Sequence, residues 1–155
     1  MPNRWTFTIP PIRELLAEEI SEGETWIDPF AGRNSPAEYT NDLNPDNNAM
    51  YCMDALSFLR MWPDNFADGV LLDPPYSITQ AAECYRSYGK EKLEINVANM
   101  GYWARIKDEM ARVIKQGGKA ICFGWTSQGL GKNRGFKMER ILLVPHGGSK
   151  NDTIV

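Results

Sequence analysis

The chain has 155 residues and a formal net charge of −3, which gives room for one domain with a proper core but not for a catalytic domain plus an independent recognition domain. Its three cysteines, at 52, 84 and 122, are too widely spaced for a zinc site or a disulfide framework, and a reducing, cytoplasmic setting is expected. The acidic total argues against a strong sequence-independent nucleic-acid binder, and no apolar run suits an export signal or a membrane span.

The charge is uneven along the chain. Residues 1–100 hold 7 Lys/Arg against 16 Asp/Glu, whereas residues 101–155 hold 10 against 4, so a polyanion is expected to meet the C-terminal third. The alternative is a set of solvated faces, since Arg105, Lys107, Arg112 and Lys115 are all predicted on one helix.

In chain order, Pro10-Pro11 opens a predicted helix with Ile12, Leu15, Leu16 and Ile20 at helical spacing, stopped by Gly23. Glu24 to Phe30 reads as a short buried strand. Further strands are predicted over Ala37 to Leu43 and Ala49 to Met53. Asp54 is placed to cap the short helix ALSFLRMW, with Leu56, Leu59 and Trp62 facing inward. Ala67 to Leu72 is almost wholly apolar, as the middle strand of a parallel sheet covered on both faces should be.

Residues 77–100 show no clean period and are read as a flap with some helix. The clearest helix is predicted over Tyr102 to Gln116, with Trp103, Ile106, Met110 and Val113 on one face and Gly117-Gly118 behind it. Lys119 to Trp125 reads as another strand, followed by the Gly-rich loop 127–135. Phe136 to Val144 and Asp152 to Val155 read as a closing, hairpin-like pair. Strands alternating with helices and then an antiparallel end predict a doubly wound, Rossmann-like α/β sheet, mostly parallel with an antiparallel C-terminal strand, in one domain spanning 1–155.

In such a sheet, ligands bind outside the carboxyl ends of the strands. Asp28 closes the first predicted strand, Asp42 the second and Asp73 the long apolar one, while Gly32 permits close backbone approach to a ligand. An acid ending the second strand suits ribose hydroxyls, so the pattern asks for a nucleoside.

Asp28-Pro29-Phe30-Ala31-Gly32 resembles motif I of the amino-methyltransferases, and Asp73-Pro74-Pro75-Tyr76 resembles their motif IV, the DPPY signature of the N6-adenine class. The preceding TFTIPPIRELL is similar to motif X. The likeness spans roughly residues 5–125 and extends to small phage-type DNA adenine methylases without a target-recognition domain. Two departures stand out: Arg33-Asn34 replaces the second motif I glycine, and the stretch from Gly32 to Thr40 is too short for an ordinary crossover helix.

The resemblance implies a class I methyltransferase sheet, S-adenosylmethionine as cofactor and DNA as partner, with the target adenine flipped out. It also implies that Asp73, through its carboxylate, and Pro74, through its carbonyl, accept hydrogen bonds from the two N–H groups of the exocyclic amine. Adjacent prolines stiffen the turn and Pro75 removes a competing N–H. Tyr76 offers a face on which the base stacks. Phe30 and Gly32 are implied at the methionine side of the cofactor, Asp42 at its ribose and Asp54 at its adenine amine. Asp28 is implied at the amino-acid moiety or as a brace of the turn, and Thr8 at the carboxylate end. In-line displacement needs no metal.

Several roles have plainer counterparts. Asp54 is equally a helix cap, and Asp42 in NDLNP equally an Asx turn. His146, the only histidine, reads as structural. Lys132 and Arg134 are candidates for gripping phosphates, with a solvated loop as the equal alternative. The expected specificity is low or short-site, supplied by loops 77–100 and 126–135, by a homo-oligomer or by a recognition subunit. Rival readings are methylation of RNA or of a protein amide, and a non-catalytic cofactor-binding partner of another methylase. A nicotinamide oxidoreductase fits poorly, because the first strand ends in DPFAG and not GxGxxG.

Overall fold

The computed structural model describes residues 5–75, 100–147 and 152–155. Tyr76 and nearly all of the predicted flap over 77–100 lie outside the described residues.

Helix α1 (Pro10–Glu19) begins with prolines at its first two positions and buries Ile12, Leu15 and Leu16. Prolines are favoured there because those N–H groups have no intrahelical acceptor. Strand β1 (Trp26–Asp28), strand β2 (Tyr39–Thr40), helix α2 (Ala55–Arg60) and strand β3 (Ala67–Leu72) follow, then helix α3 (Met100–Val113), strand β4 (Ile114–Cys122) and the short strands β5 (Leu143–Val144) and β6 (Thr153–Ile154). The main sheet has the order β2-β1-β3-β4, and every pairing in it is parallel. The hairpin β5-β6 is antiparallel. It joins the end of β4 through two backbone bonds between Gly124 and Ile154, at 2.9 and 2.8 Å. The architecture is thus an α/β, Rossmann-like layering with a small antiparallel sheet at its C-terminal end.

Alternating side chains feed two apolar layers. Ile27, Val70 and Leu72 pack under α2 and α3 with Phe58, Leu59, Ile106, Met110 and Val113. Trp26, Leu71 and Ile121 point the other way, to Phe7, Ile12, Leu16, Phe123 and Val144. The Trp26 ring of β1 lies across Gly69 of β3 because that residue has no side chain: a Cβ there would lie 2.5 Å from the ring. Among the described residues, no helix is long and apolar enough to cross a membrane.

Three sequence expectations are corrected. The strand predicted over Ala49 to Met53 shrinks to a single parallel bridge between Asn41 and Tyr51. Its next rung is taken by the Asn41 side chain, which accepts from the Met53 N–H at 3.1 Å and donates to the Met53 carbonyl at 3.0 Å. Helix α3 ends at Val113 and not at Gln116, because Ile114 already pairs with Ala67 in the sheet. Lys115 therefore leaves the helix and meets Asp68 at 2.7 Å. Finally, the strand predicted from Phe136 forms only at Leu143–Val144, where residues 153–154 supply partners.

Candidate active site

The C-terminal ends of three neighbouring parallel strands carry the site. Asp28 ends β1, Asp42 follows β2 by one residue beyond Asn41, and Asp73 follows β3 directly. Asp28 is fully buried and Asp73 is 6% exposed. The Asp28 carboxylate accepts the Phe30 N–H at 2.9 Å and the Ser35 hydroxyl at 2.6 Å, so it braces the DPFAG turn. Burial pushes its carboxyl up to about 7, the two hydrogen bonds pull it down, and the nearby charges of Asp73 and Asp42 raise it further.

Asp42 caps that turn from the neighbouring strand. Its two oxygens accept the N–H groups of Gly32, at 2.9 Å, and Asn44, at 2.8 Å. Its carboxyl is also raised, chiefly by burial, against those bonds. Gly32 holds a left-handed φ of 56°, and a Cβ there would find no atom within 4 Å. The turn thus shows bare backbone to open space, the arrangement a ligand needs for close approach.

Asn41 is a site residue the sequence reading missed. It is 1% exposed, and besides its bonds to Met53 it donates to the Pro29 carbonyl at 3.1 Å. One side chain thereby ties the DPFAG turn to the segment leading into Asp54. Its neighbours Glu38, Thr40 and Asp42 are polar, so nothing in the sequence marked this amide as buried, where leaving it unpaired would be costly.

Asp54 is the N-cap of α2: one oxygen accepts from the Ser57 N–H at 3.0 Å and lies 3.3 Å from the Ser57 hydroxyl. The other oxygen accepts from the Tyr102 hydroxyl at 2.7 Å. Tyr102, which the helical period of α3 did not select, is 4% exposed. Its neighbour Trp103 stacks obliquely on Phe30, with ring centroids 5.8 Å apart. The first turn of α3 therefore touches both the DPFAG turn and the α2 cap.

Thr8 lies on a 3-10 turn, donates to the Trp5 carbonyl at 2.8 Å, and lines a 480 Å³ groove with Arg13, Asn34 and Pro36. It is thus brought near the residues that follow Gly32. Pro74 and Pro75 continue from Asp73 in a half-buried stretch; Tyr76 is not described. Arg134 is engaged inside the protein, with Asp108 at 2.6 Å and the carbonyls of Leu130 and Ala104 at 2.9 and 3.3 Å. Lys132 is exposed on the same turn. His146 braces the closing hairpin, its Nε2 lying 2.7 Å from the Thr153 hydroxyl. Among the described residues, no group of His, Cys, Asp or Glu is arranged to hold a metal ion.

The raised Asp28 carboxyl predicts a pH dependence of stability. The folded state holds this proton up to about pH 7, the unfolded chain releases it near pH 4, so the contribution is full below about pH 4 and is lost as pH rises toward 7. The ceiling is roughly 4 kcal/mol. Asp28→Asn keeps the shape and removes the titration: urea unfolding from pH 4.5 to 8 should show the variant gaining on the parent as pH rises. Parallel curves would refute the assignment.

No protein-family model and no curated protein sequence matches the chain. The solved structure of PH0851 resembles it with a TM-score of 0.47 and 16% identity, covering 86% of this chain. The chain spans 38% of that one's length.

Proposed function

We propose that this protein is an S-adenosylmethionine-dependent methyltransferase of the class I type, acting on the exocyclic N6 amine of adenine in DNA. The observation that carries the reading is the gathering of Asp28, Asp42 and Asp73 at the carboxyl ends of three adjacent parallel strands, beside the left-handed backbone of Gly32, which faces open space. A crevice at that edge is where such sheets take nucleosides.

The donor set fits this cofactor. An acidic edge favours a cationic sulfonium and disfavours the pyrophosphate of a dinucleotide. The Gly32 backbone and Phe30 would line the methionine side, with Thr8 toward the amino-acid end and the buried Asp28 bracing the turn beneath them. Asp42 retains lone pairs for ribose hydroxyls beyond its two backbone donors, and Asp54 retains one for an adenine amine. When bound, the cofactor supplies a methyl group on a positively charged sulfur.

What remains for the chain is to make the acceptor nucleophilic. An exocyclic base amine is a poor nucleophile because its lone pair is delocalised into the ring. The Asp73 carboxylate and the Pro74 carbonyl would accept hydrogen bonds from its two N–H groups and turn the lone pair toward the donor methyl. With the amine held in this way, the donor methyl would pass to the nitrogen as its bond to sulfur breaks, and the nitrogen would release one proton to Asp73 or to water. Rate enhancement comes from positioning and from the local field. Tyr76 would stack on the extruded base, and Lys132, which is exposed, would be available to a phosphate.

The test is transfer from methyl-labelled S-adenosylmethionine to unmethylated duplex DNA, single-stranded DNA or RNA. Label is expected in DNA. Label confined to RNA would move the substrate, and donor binding without transfer to any polymer would leave a cofactor-binding module in place of an enzyme.

A further inference from the structure

We infer that Tyr102 is a positioning residue that aims Asp54 at the amine of the cofactor's adenine and so sets discrimination between 6-amino and 6-oxo purines. This rests on the methyltransferase reading above. A helix cap needs only one carboxylate oxygen, and the Ser57 N–H takes that oxygen at 3.0 Å. The second oxygen is held separately, at 2.7 Å, by a hydroxyl 48 residues away on another element.

The two contacts act on opposite oxygens and fix rotation of the carboxylate about its Cβ–Cγ bond. An oxygen already accepting one hydrogen bond has a second lone pair, and the fixed plane gives that pair one direction. An oriented acceptor receives an N–H donor but meets the carbonyl oxygen of a 6-oxo purine with lone-pair repulsion. The Tyr102 ring packs into the core beneath α2 and α3, so its hydroxyl is itself held firmly. Trp103, next in sequence, contacts Phe30, which sets the same helical turn against the other side of the proposed pocket.

A cap alone would need none of this, and a purely structural Tyr–Asp bond would not sense the purine. Titration calorimetry with S-adenosylhomocysteine and its inosine counterpart separates the two, using the full-length parent, Tyr102→Phe and Ser57→Ala. The parent is expected to prefer the adenine form by at least about tenfold, the discrimination one hydrogen bond to a charged group supports. Tyr102→Phe should weaken the adenine form by about that factor and leave the inosine form unchanged, while Ser57→Ala, which keeps the Tyr102 contact, should keep most of the preference. A Tyr102→Phe protein that loses both ligands equally, or that discriminates as the parent does, overturns the assignment while leaving the methyltransferase reading intact. A parent that binds neither nucleoside removes the reading on which it rests.

Discussion

Asp73→Ala is expected to lower methyl transfer at least roughly 100-fold, the scale on which loss of a single oriented charge-stabilising group acts, while donor affinity stays nearly unchanged. The separation follows from where Asp73 sits. In the proposed binding mode, donor-side contacts fall to the DPFAG turn after β1, to Asp42 just beyond β2 and to Asp54 at the cap of α2, whereas Asp73 heads the turn after β3. The fold should survive, since Asp73 is one of the acids whose charge raises the Asp28 carboxyl and its removal relieves that repulsion. Thermal unfolding alongside single-turnover transfer checks both halves. A variant that loses donor binding in step with transfer would make Asp73 a structural acid.

Asn41→Ala carries the largest expected effect on stability. The side chain makes three bonds to backbone groups at 3.0 to 3.1 Å and is 1% exposed. Truncation leaves the Met53 N–H and the carbonyls of Pro29 and Met53 without these partners, at a cost of roughly 3–5 kcal/mol. Asn41→Asp separates hydrogen bonding from volume: it keeps the acceptor for Met53 but loses both donors and adds a charge among buried acids, so it should be at least as damaging. Urea unfolding of the three proteins measures this. If alanine costs under about 1 kcal/mol, a figure typical of a surface amide, the role of Asn41 as the tie between the DPFAG turn and Asp54 is wrong.

These two residues mark what the sequence made legible. Asp73 could be found because a run of apolar residues forces a buried parallel strand, and the first acid after it must lie at the sheet edge. The same logic located Asp28 and the helices on either side of it. Asn41 was hidden because its value depends on which backbone groups a third segment leaves unpaired, and that is settled by tertiary packing. Tyr102 was hidden for a related reason: the helical period identifies a buried stripe, and nothing local says that one phenol at its margin reaches an acid 48 residues back. The end of α3 was misjudged because glycines at 117 and 118 gave a stop signal, whereas sheet pairing of Ile114 acts earlier. In the completed fold Gly117 has a φ of 82°, and a Cβ on Gly118 would lie 2.7 Å from the Asp68 carbonyl. Gly117 therefore supplies a left-handed residue and Gly118 a close approach at the irregular register within β4, and neither caps the helix.

The most direct measurement is the identity of the methylated atom. DNA exposed to the protein and methyl-labelled donor would be digested to nucleosides and separated by chromatography with mass detection. The account predicts label in N6-methyldeoxyadenosine and none from the Asp73→Ala protein. Label in N4-methyldeoxycytidine, or equal label with Asp73 replaced, would contradict it.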